Sequence, residues 1–366
     1  MRIAQVAPLY ESVPPRLYGG TERVVAWLTE KLVSFGHDVT LFASGDSVTN
    51  ARLVPACKKA LRLDEDCVDP IAHHALMVEK VFEQAEDFDL IHFHIDYLHF
   101  SRSRRVQVAC VTTLHGRQDV PDLVPLYKEF SEVPLVSISD SQRQPLPWVN
   151  WVGTVHHGLP GDSLALNKEG GDYLAFLGRV SPEKGLVRAI EIAIRAGKKL
   201  KIAAKVDRGD RNYFEHQVKP LLNHPLIEFI DEIGASEKQD FLGNAAALLF
   251  PIEWPEPFGL VLIEAMACGT PVIGHPYGSV PEIIPDGVAG FLVRNLDEGV
   301  EAVNRLSEID RRDCRRHFEL NFTDDRMARD YLRLYNQLIQ PKSASMTVEE
   351  GALKWMEVES PTPSTT

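Results

Sequence analysis

Short apolar runs alternate with longer segments of helical periodicity along most of the chain. Runs at 2–8, 38–43, 89–93, 108–113, 134–138 and 153–157 predict strands. After the first run, Val24, Leu28, Leu32 and Phe35 recur at helical spacing, which predicts a helix with Thr21 as N-cap and Gly36 as C-cap. Helices also fit 71–86 and 121–131. A second series starts at Tyr173, with strands at 173–178, 199–204, 226–230, 246–250, 271–274 and 289–293. Helices fit between them near 183–196, 210–222, 236–243, 258–267, 279–284 and 296–307. This alternation predicts an α/β protein with two parallel, doubly wound, Rossmann-like domains of similar size. They cover 1–160 and 173–321, with a Gly-rich, aperiodic linker at 161–172. Ligands are expected in a central cleft, at the carboxyl ends of the strands. Residues 322–340 predict a terminal helix packing back toward the first domain, and the Ser/Thr/Pro-rich 341–366 predict a disordered tail.

A length of 366 residues agrees with two domains at ~150 residues each. The net charge is −13, with −5 up to Pro160 and −8 beyond it, which argues against a broad nucleic-acid footprint. Arg102, Arg104 and Arg105 form the densest basic cluster of the first half and read as a solvated loop. The five cysteines (57, 67, 110, 268 and 314) form no CxxC pair, so a reducing compartment is expected. The start, MRIAQVAPLY, lacks the apolar stretch of a signal peptide. The longest apolar run, 245–252, is far short of the ~20 residues that span a bilayer. Together these features predict a cytoplasmic protein without a transmembrane segment.

The most informative stretch is PIEWPEPFGLVLIEAMACGTPVI, 251–273. Pro257 is expected near the first helical position, leaving the amides of Phe258, Gly259 and Leu260 unpaired, a ready site for phosphate. Glu264 follows Glu256 by eight residues, ~12 Å along a helix, among the apolar Leu262, Ile263 and Met266. An enclosed carboxylate must find donors. Vicinal hydroxyls of a sugar or ribose supply two, and an Arg from a neighbouring helix is the other solution.

This stretch resembles the E-x7-E signature of family 4 glycosyltransferases, which have the GT-B fold. The resemblance reaches about residue 338 and includes PPRLYGGTERVV (14–25), GHDVTLFA (36–43), TTLHG (112–116), SISDSQR (137–143), FLGRVSPEKG (176–185) and YGSVPEIIPDGVAGFLV (277–293). It implies retaining transfer of a sugar from a nucleotide donor, UDP- or GDP-linked, to a small-molecule, glycan or lipid-linked acceptor. It implies no essential metal and no cofactor beyond the nucleotide sugar.

By the same resemblance, Glu264 would hold the ribose hydroxyls and Glu256 the donor sugar. The amides of Phe258, Gly259 and Leu260 would meet sugar and diphosphate, and Arg179 and Lys184 would grip the diphosphate. A leaving diphosphate gains negative charge, and in the absence of a metal fixed cations must offset it. Surface pairing with Glu183 or Glu191 is the alternative for both cations. Gly19 and Gly20 would allow close approach of the backbone to the diphosphate. They form neither a GxGxxG fingerprint nor a P-loop. His115, just past a strand, would lie beside the reaction centre, acting through its ring or its backbone carbonyl.

His92 and His94 form an HxH pair on one face of a predicted strand. HxH can begin a metal site, but no matching pair accompanies it, and His94 reads as acceptor-side lining. His73-His74 and His156-His157 read as structural. Two departures stand out. Lys205 occupies a position where the family commonly has a small residue, either adding a phosphate contact or crowding the donor. Asp231 replaces a frequent Gly in IDEIG, 230–234, where Ile233 is expected near the nucleobase. A sugar-nucleotide epimerase of the same architecture and a non-catalytic nucleotide-sugar binding protein are the rival readings. Peripheral membrane contact stays open.

Overall fold

A computed structural model describes residues 1–16 and 19–339, and the tail from 341 lies outside the described residues. The first sheet contains β1 (Arg2–Val6), β2 (Asp38–Ser44), β3 (Arg52–Cys57), β4 (Leu90–Phe93), β5 (Ala109–Thr113), β6 (Leu135–Ser137) and β7 (Trp151–Thr154). Its order is β3-β2-β1-β4-β5-β6-β7, parallel throughout. The second contains β8 (Tyr173–Arg179), β9 (Lys199–Lys205), β10 (Ile227–Phe229), β11 (Ala245–Phe250), β12 (Val272–Gly274) and β13 (Gly290–Leu292). Its order is β10-β9-β8-β11-β12-β13, again parallel. Both sheets reverse their winding beside their first strand, between β1 and β4 and between β8 and β11. A crevice opens at such switch points, and the loops after these four strands build the site.

The helices that frame it are α1 (Gly20–Ser34), α2 (Pro70–Glu83), α3 (Leu186–Arg195), α4 (Ala235–Gly243), α5 (Leu260–Ala267), α6 (Leu296–Asn304), α7 (Arg311–Asn321) and α8 (Asp324–Ile339). Helix α8 docks on the first domain through Met327, Ala328, Tyr331 and Tyr335, which pack with Ile3, Val24, Leu28, Val111 and Val136. At about 1.5–3 kcal/mol per fully buried large side chain, this contact suffices to clasp the two halves.

Several expectations are corrected. The first sheet has a seventh strand, β3, whose Pro55 masked it. Proline is tolerated there because β3 is an edge strand with an irregular register opposite Ala43 and Ser44. The strand expected at 153–157 ends at Thr154. Gly19, not Thr21, is the N-cap of α1. Phe35 is its C-cap, and Gly36 follows with φ 83. The helix expected over 210–222 is a broken series of short turns around Pro220. Helix α7 was missed because it buries only Cys314 and Phe318. Its Arg311 and Arg315 reach back to the carbonyls of Asn167, Leu164 and Gly161, so the aperiodic linker is held by hydrogen bonds. Arg104 bridges Glu129 and Glu132, and Arg102 meets Glu79, in keeping with a solvated basic loop.

Candidate active site

A cleft of about 720 Å³ runs between the two sheets, and every site residue named from the sequence lines it: Gly19, Gly20, His94, His115, Arg179, Lys184, Lys205, Ile233, Glu256, Phe258, Gly259, Leu260 and Glu264. They arrive on separate loops. Arg179 ends β8 directly beside Lys205 at the end of β9, so two cations leave the sheet side by side. Lys205 therefore belongs to the cleft wall, 3.3 Å from Asp207. Arg179 contacts Glu183 at 2.7 Å, the partner foreseen for a surface pair, yet it still faces the cleft.

Lys184 bonds Glu256 Oε2 at 2.5 Å, and the Trp254 indole N–H donates to the same oxygen at 2.9 Å. Gly185, in left-handed backbone with φ 70, makes this geometry accessible, because a Cβ there would lie 2.0 Å from the Pro251 carbonyl. Helix α5 starts at Leu260, so Pro257 lies upstream of the first turn and Glu256 is on a loop rather than on the helix. Gly259 caps the helix with φ 85.

That loop rests on the segment after β12. The Ser279 N–H donates to the Glu256 carbonyl at 3.0 Å, and its hydroxyl to the Phe258 carbonyl at 2.8 Å. Gly278 has φ 60, and an added Cβ would fall 2.3 Å from the Glu256 nitrogen. Gly278→Ala is therefore expected to destabilise the fold by about 1–3 kcal/mol and to displace Glu256. A lowered melting temperature with lowered turnover checks this. Unchanged values for both would contradict it.

Glu264 is 5% exposed and pairs with Lys238 of α4 at 2.6 Å, a lysine from a helix of weak amphipathicity rather than the anticipated arginine. The sequence reading missed Lys238 and Trp254. No spacing rule links them to Glu264 or Glu256, since their contacts are tertiary. Asp231 has φ 57, which explains why glycine suits that position, and Asp is among the few residues that tolerate it.

The opposite wall is a histidine cluster. His94 bonds His115 through Nδ1 at 2.9 Å and Gln5 Oε1 through Nε2 at 2.9 Å. His92 bonds Tyr335 at 2.7 Å and Thr113 at 2.8 Å. All four nitrogens of the HxH pair are thus committed to protein partners. His74 accepts the Leu9 N–H and is structural. His157, read as structural, instead enters the cleft wall, its ring 5.2 Å from His115 and 4.8 Å from Phe258.

Burial depresses the imidazole pKa of His92, His94, His99 and His157 well below the usual value, and that of His115 to about 3. These rings are neutral in the fold but gain protons when unfolded. Their stabilising contribution is therefore complete above about pH 6.5 and is lost as pH falls below it, by about 1.4 kcal/mol per pH unit and ring. Burial raises the carboxyl pKa of Glu11, Glu22 and Asp96, which acts in the opposite sense, but three groups do not offset five. The melting temperature should fall steeply from pH 6.5 toward 4.5. A flat profile there would contradict the buried, neutral cluster.

Two parallel doubly wound sheets with cations, carboxylates and helix ends converging on one intervening cleft define a GT-B architecture. A family model for glycosyltransferase family 4 matches residues 18–168, and one for glycosyl transferases group 1 matches residues 164–319. The chain belongs to these GT-B glycosyltransferases. A D-inositol 3-phosphate glycosyltransferase of Mycobacterium leprae is 33% identical over 164 residues, 41% of this chain and 34% of the relative. The chain thus spans about a third of the length of that curated relative. An uncharacterized glycosyltransferase of Methanocaldococcus jannaschii is 24% identical over 359 residues, covering 84% of this chain and 89% of its own. Among solved structures, the glycosyltransferase AviGT4, involved in avilamycin A biosynthesis, superposes with TM-score 0.74 at 24% identity, covering 93% and 98% of the two chains.

Proposed function

We propose that the chain transfers a sugar from a nucleoside diphosphate sugar, UDP- or GDP-linked, to an acceptor hydroxyl with retention at the anomeric carbon and without a metal ion. The observation that carries this is the convergence of Arg179, Lys184, Lys205 and Lys238 with Glu256 and Glu264 on one wall of a single cleft. Glu264 takes the ribose hydroxyls and Glu256 those of the donor sugar. The amides of Phe258, Gly259 and Leu260 and the loop at Gly19 and Gly20 approach the diphosphate, with Ile233 beside the base. Lys184 has three N–H donors, so it can keep Glu256 and still meet a phosphate oxygen.

In the reaction, the bond from the anomeric carbon to the phosphate oxygen breaks and its electron pair stays on the diphosphate. Arg179 and Lys184 offset that charge. The acceptor oxygen bonds the same face of the anomeric carbon and its proton passes to the leaving diphosphate. Among the described residues the His115 carbonyl accepts no hydrogen bond, which suits it to face developing positive charge at the ring. His94 lies behind it, on the acceptor side. Closure of the cleft excludes water and limits donor hydrolysis.

Among the described residues no helix is long and apolar enough to cross a membrane. The cysteines among them are all free, which fits a reducing cytoplasm. The test is incubation with UDP-, GDP- and ADP-sugars and a mixed acceptor panel, followed by mass spectrometry. The expected result is a released nucleoside diphosphate with a glycosylated product of unchanged anomeric configuration. An isomerised nucleotide sugar, or binding without turnover for every pair, would contradict the proposal.

A further inference from the structure

A continuous chain of hydrogen bonds joins the last helix to the cleft, and its donors and acceptors admit one order with Gln5 as oriented. The Gln5 amide N–H donates to the Tyr335 hydroxyl at 3.1 Å, and Gln5 Oε1 faces His94 Nε2 at 2.9 Å. An amide oxygen only accepts, so His94 carries its proton on Nε2. A neutral His94 then has a bare Nδ1, which must accept from His115 Nε2 at 2.9 Å. A neutral His115 is left with a bare Nδ1, and this atom is buried without a partner among the described residues.

The order continues the other way. Tyr335 already accepts from Gln5, so its own proton goes to His92 Nδ1 at 2.7 Å. His92 donates from Nε2 to Thr113 at 2.8 Å, and the Thr113 hydroxyl faces Tyr331 at 2.9 Å. Turning the Gln5 amide over would reverse every bond, place a proton on His115 Nδ1, and leave a buried donor unpaired. Either order leaves this buried nitrogen unpaired, as a bare acceptor or as an N–H, and unpaired buried N–H groups are the rarer of the two, which disfavours the reversed order.

We propose that Tyr335 is a positioning residue that, through Gln5 and His94, locks His115 in one tautomer and one ring orientation beside the cleft. The depressed basicity of these rings keeps the chain neutral across physiological pH. The ring of His115 is then held at Nε2 and cannot turn over, which fixes the backbone of the loop that carries its carbonyl. The helix that clasps the two halves thereby also governs the geometry of the site. Consequences for turnover rest on the sugar-transfer reading, whereas the proton order stands independently of it.

The experiment is nitrogen NMR of the full chain labelled with 15N-histidine, with His115 assigned through His115→Gln. The wild type should show His115 and His94 protonated on Nε2 and bare on Nδ1. Tyr335→Phe frees the Gln5 amide to turn, so both rings should show mixed tautomers. Turnover, or donor hydrolysis where no acceptor is known, should fall about tenfold with donor KM within about twofold. A His115 protonated on Nδ1 in the wild type would overturn the proposal, and that spectrum decides even if Tyr335→Phe fails to fold. Unchanged tautomers in a folded Tyr335→Phe would overturn it too. Changed tautomers with unchanged turnover would overturn its catalytic half while leaving the sugar-transfer reading intact.

Discussion

Replacing Lys184 by Ala should lower turnover about 10²–10³-fold while leaving the fold in place. The loss is large because the ammonium has two partners. On the proposed reading it offsets charge on the leaving diphosphate, and in the fold it holds the Glu256 carboxylate together with the Trp254 indole. Glu256 is 9% exposed, so removing Lys184 leaves a largely enclosed carboxylate that, among the described residues, keeps the Trp254 indole as its side-chain donor. The variant should therefore bind the nucleoside diphosphate more weakly as well as react more slowly. Lys184→Arg, which keeps the charge but differs in shape, should recover part of the rate. Arg179→Ala should lose rate in the same direction, since the guanidinium faces the cleft despite its contact with Glu183. Steady-state kinetics with a melting curve for each variant checks this. Wild-type rates in both alanine variants would remove charge neutralisation from the account.

The second large effect is on donor affinity. Glu264→Gln should raise donor KM or Kd by about 10–100-fold with a much smaller change in kcat. A carboxylate accepting two hydroxyl hydrogen bonds gains about 1.5–3 kcal/mol from each as a charged acceptor, whereas an amide offers one neutral acceptor oxygen and puts a donor in place of the other. The lesion is remote from the bond that breaks, so binding rather than chemistry carries it. Because Lys238 is the ion-pair partner of Glu264, Lys238→Met should partly reverse the damage by removing the stranded cation. Equal affinities in wild type and Glu264→Gln would show that the ribose hydroxyls are held elsewhere.

How much of this was legible in the sequence follows from which signals are local. The alternating periodicity located the strands that end at or lead into Arg179, His94 and Glu256, because parallel strands are continuous apolar runs and their carboxyl ends define the cleft. The Gly19-Gly20 pair was a backbone signal that read locally, although it caps and opens α1 rather than forming a loop before it. The edge strand β3 and helix α7 were hidden for opposite reasons. Pro55 broke the strand pattern, whereas the charged face of α7 buries only two side chains. The start of α5 was misplaced by the proline, which here shapes the loop that presents Glu256 rather than the first helical turn.

Tertiary pairings were not legible at all. Lys238 with Glu264, Trp254 with Glu256 and Tyr335 with Gln5 join residues from separate elements, and no spacing announces them. His157 was passed over because a paired histidine at a strand end looks like an ordinary core residue. Only the folded chain shows that its ring forms part of the cleft wall between His115 and Phe258.

The central claim is that fixed side-chain cations hold the diphosphate of a nucleotide in the cleft. Calorimetric titration of UDP, GDP and ADP, in the presence of a chelator, into wild type and into Lys184→Ala tests it most directly. The account predicts that one of these nucleotides binds the wild type with the chelator present and binds Lys184→Ala at least about tenfold more weakly. Binding that vanishes with the chelator, or that Lys184→Ala leaves unchanged, would contradict it.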